Sequence, residues 1–161
     1  MTEKPIIIFY SLTGNTKFIA QTIAEITSGE ILELKLEKEF KSSHDLRTIF
    51  WGGKQVMTKE KPKLLPLTKN IADYNLIILG TQVWAFSFAP ALRTFLSQNE
   101  LTNKKIALFC CHDGMPGKAL TNLKSELTGN EIIGEIAFRE PLRNQAENKK
   151  KLAEWLATLN I

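Results

Sequence analysis

Pro5-Ile6-Ile7-Ile8-Phe9-Tyr10-Ser11-Leu12-Thr13-Gly14-Asn15-Thr16 is the stretch that decides the reading of this chain. Its first half, Pro5 to Tyr10, is a continuous run of β-branched and aromatic residues, which suits a strand buried on both faces. The residues after it, Thr16 to Thr27, carry apolar side chains at Phe18, Ile19, Ile23 and Ile26, a helical spacing. The segment in between packs three hydroxyls (Ser11, Thr13, Thr16), the amide of Asn15 and Gly14 into six residues. Glycine at position 14 permits a backbone geometry that other residues resist. Free N–H groups at the start of a helix then converge on an anion, helped by the helix dipole, and the hydroxyls add donors. The loop has no arginine and no Gly-Lys-Ser/Thr, so ATP chemistry fits poorly, and Lys17 just beyond it is expected to face solvent. A neutral cradle of this kind suits one terminal phosphate monoester. The residues alone also allow a polar turn with an N-capped helix.

Outward from this unit the same alternation repeats. Glu30 to Leu36 alternates apolar and charged residues, and Asn75 to Gly80, Lys105 to Cys111 and Ile132 to Phe138 are further apolar strand runs. Helical patterns occupy Pro90 to Gln98, Lys118 to Leu127 and Gln145 to Leu159. Strands alternating with helices call for a parallel sheet covered on both sides, an α/β fold of three layers. Between Lys38 and Asp73 the pattern is least regular: Asp45 to Met57 can form a helix, weakened by Gly52-Gly53, before Pro62 and Pro66 mark a loop. No repeat, low-complexity tract or linker divides residues 1–161, so a single domain is expected.

Composition narrows the class. A hydrophobic content of 43% with 24% charged residues is ordinary for a globular protein with its own core. The adjacent Cys110 and Cys111 make no disulfide framework and are read as apolar strand-end residues, which points to a reducing cytoplasm. Ile6 to Tyr10 is too short for a signal segment or membrane span. The net charge of +4 is spread along the chain, and Lys149-Lys150-Lys151 reads as a solvated helix face, so neither nucleic acid nor membrane is an expected partner.

Strand, then Ser-x-Thr-Gly-Asn-Thr, then helix resembles the FMN-phosphate loop of the flavodoxin family. Leu79-Gly80-Thr81-Gln82-Val83-Trp84-Ala85-Phe86-Ser87-Phe88-Ala89-Pro90, followed by Arg93-Thr94-Phe95-Leu96, is similar to that family's segment after the third strand. The order of segments matches from Lys4 to Leu159. The resemblance implies a doubly wound, five-stranded parallel sheet of order 2-1-3-4-5, for which flavodoxin is itself the standard example. It also implies non-covalent FMN, with the phosphate on Ser11, Leu12, Thr13, Gly14, Asn15 and Thr16. The ring would lie against Thr81, Gln82, Val83, Trp84, Ala85 and Phe86 and against Cys111, His112, Asp113, Gly114 and Gly117. Trp84 is expected to stack on the flavin, although Trp84, Phe86 and Phe88 also fit core positions at strand spacing.

Three departures separate the chain from the family's electron carriers. The loop His112-Asp113-Gly114-Met115-Pro116-Gly117 lacks the second stacking aromatic, leaving one flavin face open or covered by Met115 or a loop. Gln82 to Ala91 has no glycine, so a peptide flip beside the reduced flavin would place a side-chain-bearing residue in a costly conformation. The chain is basic, whereas such carriers are usually acidic, which changes the partner surfaces it would steer toward. The expected function is an FMN-binding redox protein, either a carrier or a small oxidoreductase, with no dedicated catalytic side chain. Its counterpart is a redox protein or a small electron acceptor, and the chain acts as a monomer or homodimer. The competing reading is a flavin-free interaction module on the same fold. A receiver-type signalling domain is set aside, since no acidic residue lies between Lys4 and Ala24, and no Gly-x-Gly-x-x-Gly supports a dehydrogenase.

Overall fold

Alternate residues of the central strands face opposite helical layers, and that division builds the architecture. The structure is a computed structural model that describes residues 3–39 and 61–161. The helix expected over Asp45 to Met57 lies outside the described residues. In chain order the elements are β1 (Ile6–Phe9), α1 (Asn15–Thr27), β2 (Glu30–Glu33), β3 (Leu76–Trp84), β4 (Ser87–Phe88), α2 (Pro90–Gln98), β5 (Lys105–His112), α3 (Ala119–Ser125), β6 (Glu131–Arg139) and α4 (Gln145–Thr158). A short 3₁₀ turn, Ile71–Asp73, leads into β3.

The sheet runs β2-β1-β3-β5-β6 with every neighbour parallel, while the two-residue β4 turns back antiparallel on the end of β3. This is the expected five-strand order with one short strand inserted. On one face Ile6, Ile8, Ile77, Leu79, Ile106 and Leu108 pack against Leu92 and Phe95 of α2 and Leu123 of α3. On the other, Ile7, Phe9, Ile78, Ala107 and Phe109 meet Ile19 and Ile23 of α1 and Leu152 and Trp155 of α4. Ile19 and Ile23 are fully buried, and each contributes about 2 kcal/mol of hydrophobic stabilisation. Gly80 leaves the space that the Phe109 ring fills, since a Cβ there would stand 2.2 Å from its Cζ.

β3 is longer than its sequence pattern suggests. It pairs with β5 as far as Gln82↔Cys111, then changes partner and pairs with β4 through Val83↔Phe88 and Trp84↔Ser87. Ala85 (φ 46°) and Phe86 (φ 63°) form the intervening turn, both in the left-handed region. Two-residue hairpins favour such backbone, but Asn-Gly is its usual sequence, and a side-chain-bearing residue there costs about 1–2 kcal/mol. The glycine-free run thus holds positive φ at two positions. Neighbours hold the turn in place: Lys118 N–H donates to Phe86 O (2.8 Å), and Asn122 Nδ2 donates to Ser87 Oγ (2.9 Å).

Candidate functional site

Parallel strands leave their carboxyl ends on one edge, where the connecting loops diverge and a crevice opens. Here a cavity of about 360 Å³ lies on that edge. Thr13 and Asn15 line it from the loop after β1, Gln82 and Val83 from the end of β3, and Cys111, His112 and Asp113 from the end of β5. Glu140, Leu142 and Arg143, after β6, close the remaining wall. A second hollow of about 500 Å³, lined by Glu3, Asn75, Lys105 and Glu131 among others, sits at the amino ends of the strands, away from these loops.

The Ser11–Thr16 loop is built to present an open helix start. Gly14 takes φ 92° as the N-cap of α1, so the N-cap residue has no side chain to cap the helix, and no carboxylate stands in its first turn. The first-turn amides have no preceding helical carbonyl to bond. Lys17 N–H is used, donating to Ser11 Oγ at 3.1 Å. Capping therefore accounts for Ser11 but not for the rest of the loop. Leu12 N–H donates to the Gln82 side-chain carbonyl (3.0 Å), which ties the first loop to the end of β3. Asn15 Nδ2 donates to Thr13 Oγ1 (3.1 Å). Lys17 Nζ is drawn away to Glu33 at 3.0 Å and adds no charge to the cradle.

Thr16 is the exceptional member. Only 1% exposed, its hydroxyl has no hydrogen-bond partner of normal geometry and faces the buried Cys111 thiol. A buried hydroxyl left without a partner costs about 1–3 kcal/mol, so an acceptor arriving at the loop would relieve a standing penalty. The donor chemistry fits a phosphate: a helix start without an acid, a left-handed glycine, hydroxyls on three residues and one of them unpaired.

The other two edges differ in character. Burial pushes the Cys110 thiol up to about 12 and the Cys111 thiol higher still, so both are neutral and unreactive near pH 7. His112 is held below the ordinary histidine value by burial first, with Lys151 and Arg139 acting in the same direction and the Gly114 backbone and Asp113 opposing. It is therefore a neutral imidazole at the crevice wall, and its Nδ1 is enclosed without a partner of normal geometry.

Several residues expected at the ring do not line this cavity. Trp84 is 1% exposed and packs in the core with Tyr10, Phe88 and Leu92, so its indole is not presented to the crevice. The physical reason is the change of partner in β3. Leu79 and Trp84, five residues apart, belong to one cluster although regular alternation would put them on opposite faces. Thr81 is buried, its Oγ1 accepting from Ala89 N–H (2.9 Å) to brace the hairpin. Phe86 is 70% exposed and lines, with Ala85, a neighbouring hollow of about 400 Å³. Gly117 meets the Phe86 backbone, Gly114 has open space beside it, and Met115 is exposed.

Sequence reasoning missed the segment after β6. α4 packs beside α1 on the same sheet face, so the chain leading into it crosses over the start of α1. Leu142 N–H donates to Asn15 Oδ1 (3.0 Å), and Leu142 Cδ1 lies 3.5 Å from where a Gly14 Cβ would stand. Glu140 N–H donates to His112 O (2.8 Å), joining this segment to the end of β5. Its polar, irregular sequence carries no motif. The only signal was its place at a strand's carboxyl end.

Comparison with known proteins accords with this geometry. The family model described as Flavodoxin matches residues 4–159. No curated protein is matched. Among solved structures, a flavoprotein from Lactobacillus acidophilus in complex with FMN is 23% identical, with a TM-score of 0.73 over 90% of this chain and 99% of that one. A candidate flavoprotein from Bacteroides eggerthii is 19% identical with a TM-score of 0.79, covering 99% of both chains. Flavodoxin 2 from Bacillus cereus is 21% identical with a TM-score of 0.61, over 98% of this chain and 97% of that one. A sheet of this order, an acid-free helix start after its first strand and a family match over almost every residue lead to one conclusion: the chain belongs to the flavodoxin family.

Proposed function

We propose that this chain is an FMN-dependent redox protein whose Ser11–Thr16 loop takes the phosphate and whose β3 and β5 ends take the ring. The observation that carries the reading is the buried Thr16 hydroxyl, without a partner of normal geometry, behind a helix start that has a left-handed glycine as N-cap and no carboxylate. When bound, FMN supplies the electron chemistry, and the protein sets access and orientation. Backbone amides from Gly14 to Thr16 bind and orient the phosphate. Gln82, fixed by the Leu12 amide, holds the two loops at one spacing, and neutral His112 adds no charge beside the ring. Trp84 would have to leave the core to stack. The exposed Phe86 is the aromatic of that run available to cover the ring.

Residues 1–161 act as one domain, as a monomer or homodimer, exchanging electrons with a redox protein or a small acceptor that approaches across Phe86 and Met115. Unpaired buried thiols at Cys110 and Cys111 support a reducing cytoplasmic setting, and no helix among the described residues is long and apolar enough to cross a membrane. The test is to add the apo-protein to FMN and follow flavin fluorescence. Quenching with a shifted absorption band is expected, whereas unchanged emission at saturating protein would favour the flavin-free interaction module.

A further inference from the structure

The cradle itself holds no cation. Lys17 is paired with Glu33, and a phosphate monoester carries close to two negative charges at neutral pH. The segment that crosses over the cradle carries a cation of its own. Arg143 lines the same cavity as Thr13 and Asn15, one residue beyond Leu142, whose amide is bonded to Asn15. In the structure its Nη1 rests on Glu140 Oε1 at 2.9 Å, with the side chain 80% exposed. An ion pair this exposed is worth roughly 0–1 kcal/mol, so the guanidinium leaves it at little cost. Glu140 is not stranded by that move, because Arg139 Nε stands on its other oxygen at 4.0 Å.

We propose that Arg143 is a specificity-determining residue for the flavin's phosphate. It exchanges Glu140 for the ester bound in the Ser11–Thr16 loop, and the Glu140–Arg143 turn acts as a strap over that loop. The inference rests on the phosphate-loop reading above. Arginine suits the role because its planar fork meets phosphate oxygens in pairs and stays charged at every working pH. Leu142 fixes the strap's position, so the move is confined to one side chain.

The experiment compares FMN with riboflavin, which lacks the phosphate, by fluorescence quenching on the full chain with Arg143→Gln, Glu140→Gln and a charge-matched control, Arg139→Gln. Arg143→Gln is expected to weaken FMN roughly tenfold while leaving riboflavin unchanged, as loss of a charge-assisted contact requires. Glu140→Gln frees the arginine and is expected to tighten FMN. Arg139→Gln removes the same charge from the far side of Glu140 and is expected to stay within about twofold. Equal effects of the two arginine variants, or none from Arg143→Gln while the wild type prefers FMN, would overturn the inference and leave the phosphate loop standing. A wild type that binds FMN no better than riboflavin would overturn both.

Discussion

Gly117 stands back to back with Phe86. A Cβ on Gly117 would lie 2.8 Å from Phe86 O and 2.9 Å from its Cα, and Gly117 itself has φ +55°. The contact lets the α3 start hold a turn whose own residues disfavour its backbone. Gly117→Ala is expected to cost about 2 kcal/mol or more, from the clash together with the left-handed backbone. Chemical denaturation measures this, and an unchanged midpoint would mean the hairpin is not held there.

Thr16→Val separates stability from binding. Valine keeps the shape and removes the unpaired hydroxyl. The apo-protein is expected to be as stable as wild type or about 1 kcal/mol more so, while FMN affinity falls. Thermal unfolding with and without FMN checks both halves. A destabilised apo-protein would show that the hydroxyl already has a partner.

The two aromatics of the β3–β4 hairpin are expected to respond oppositely. Trp84→Ala empties a core position and should cost about 3–5 kcal/mol of stability. Phe86→Ala removes an exposed ring, so stability should hold within about 0.5 kcal/mol while flavin binding weakens, for FMN and riboflavin alike. Unfolding curves and flavin titrations distinguish them.

His112 gives a pH signature. Burial lowers its native pKa below the ordinary 6.5, so in that window the unfolded chain binds more protons and stability rises with pH. The contribution is complete above about 6.5 and lost as pH falls through the lowered native value. His112→Asn is expected to flatten the stability profile below 6.5 relative to wild type and to leave it parallel above. Denaturation midpoints across that range provide the check.

Much of this was legible in the sequence because each element declares itself locally. Ile6–Phe9 is apolar throughout since both its faces are covered, and the alternation of Ile77 to Leu79 between two clusters follows from strand geometry alone. Gly14 announced its left-handed turn. What escaped was set by tertiary context. Trp84 looks like a presented aromatic until β3 changes partner and rolls it inward. Ala85 and Phe86 show no turn signal, being kept in positive φ by a helix start about thirty residues away. Leu142 reaches the loop, and Arg143 the wall of the same cavity, only because α4 lies beside α1, a pairing that no local pattern encodes.

Amide NMR of the isotope-labelled chain during FMN titration tests the site most directly. The largest shifts are expected at Leu12 through Lys17, with smaller ones at Gln82, Val83, His112 and Arg143. Quenched FMN accompanied by shifts confined to the opposite end of the sheet, around Asn75, Lys105 and Glu131, would place the nucleotide elsewhere and contradict the phosphate loop.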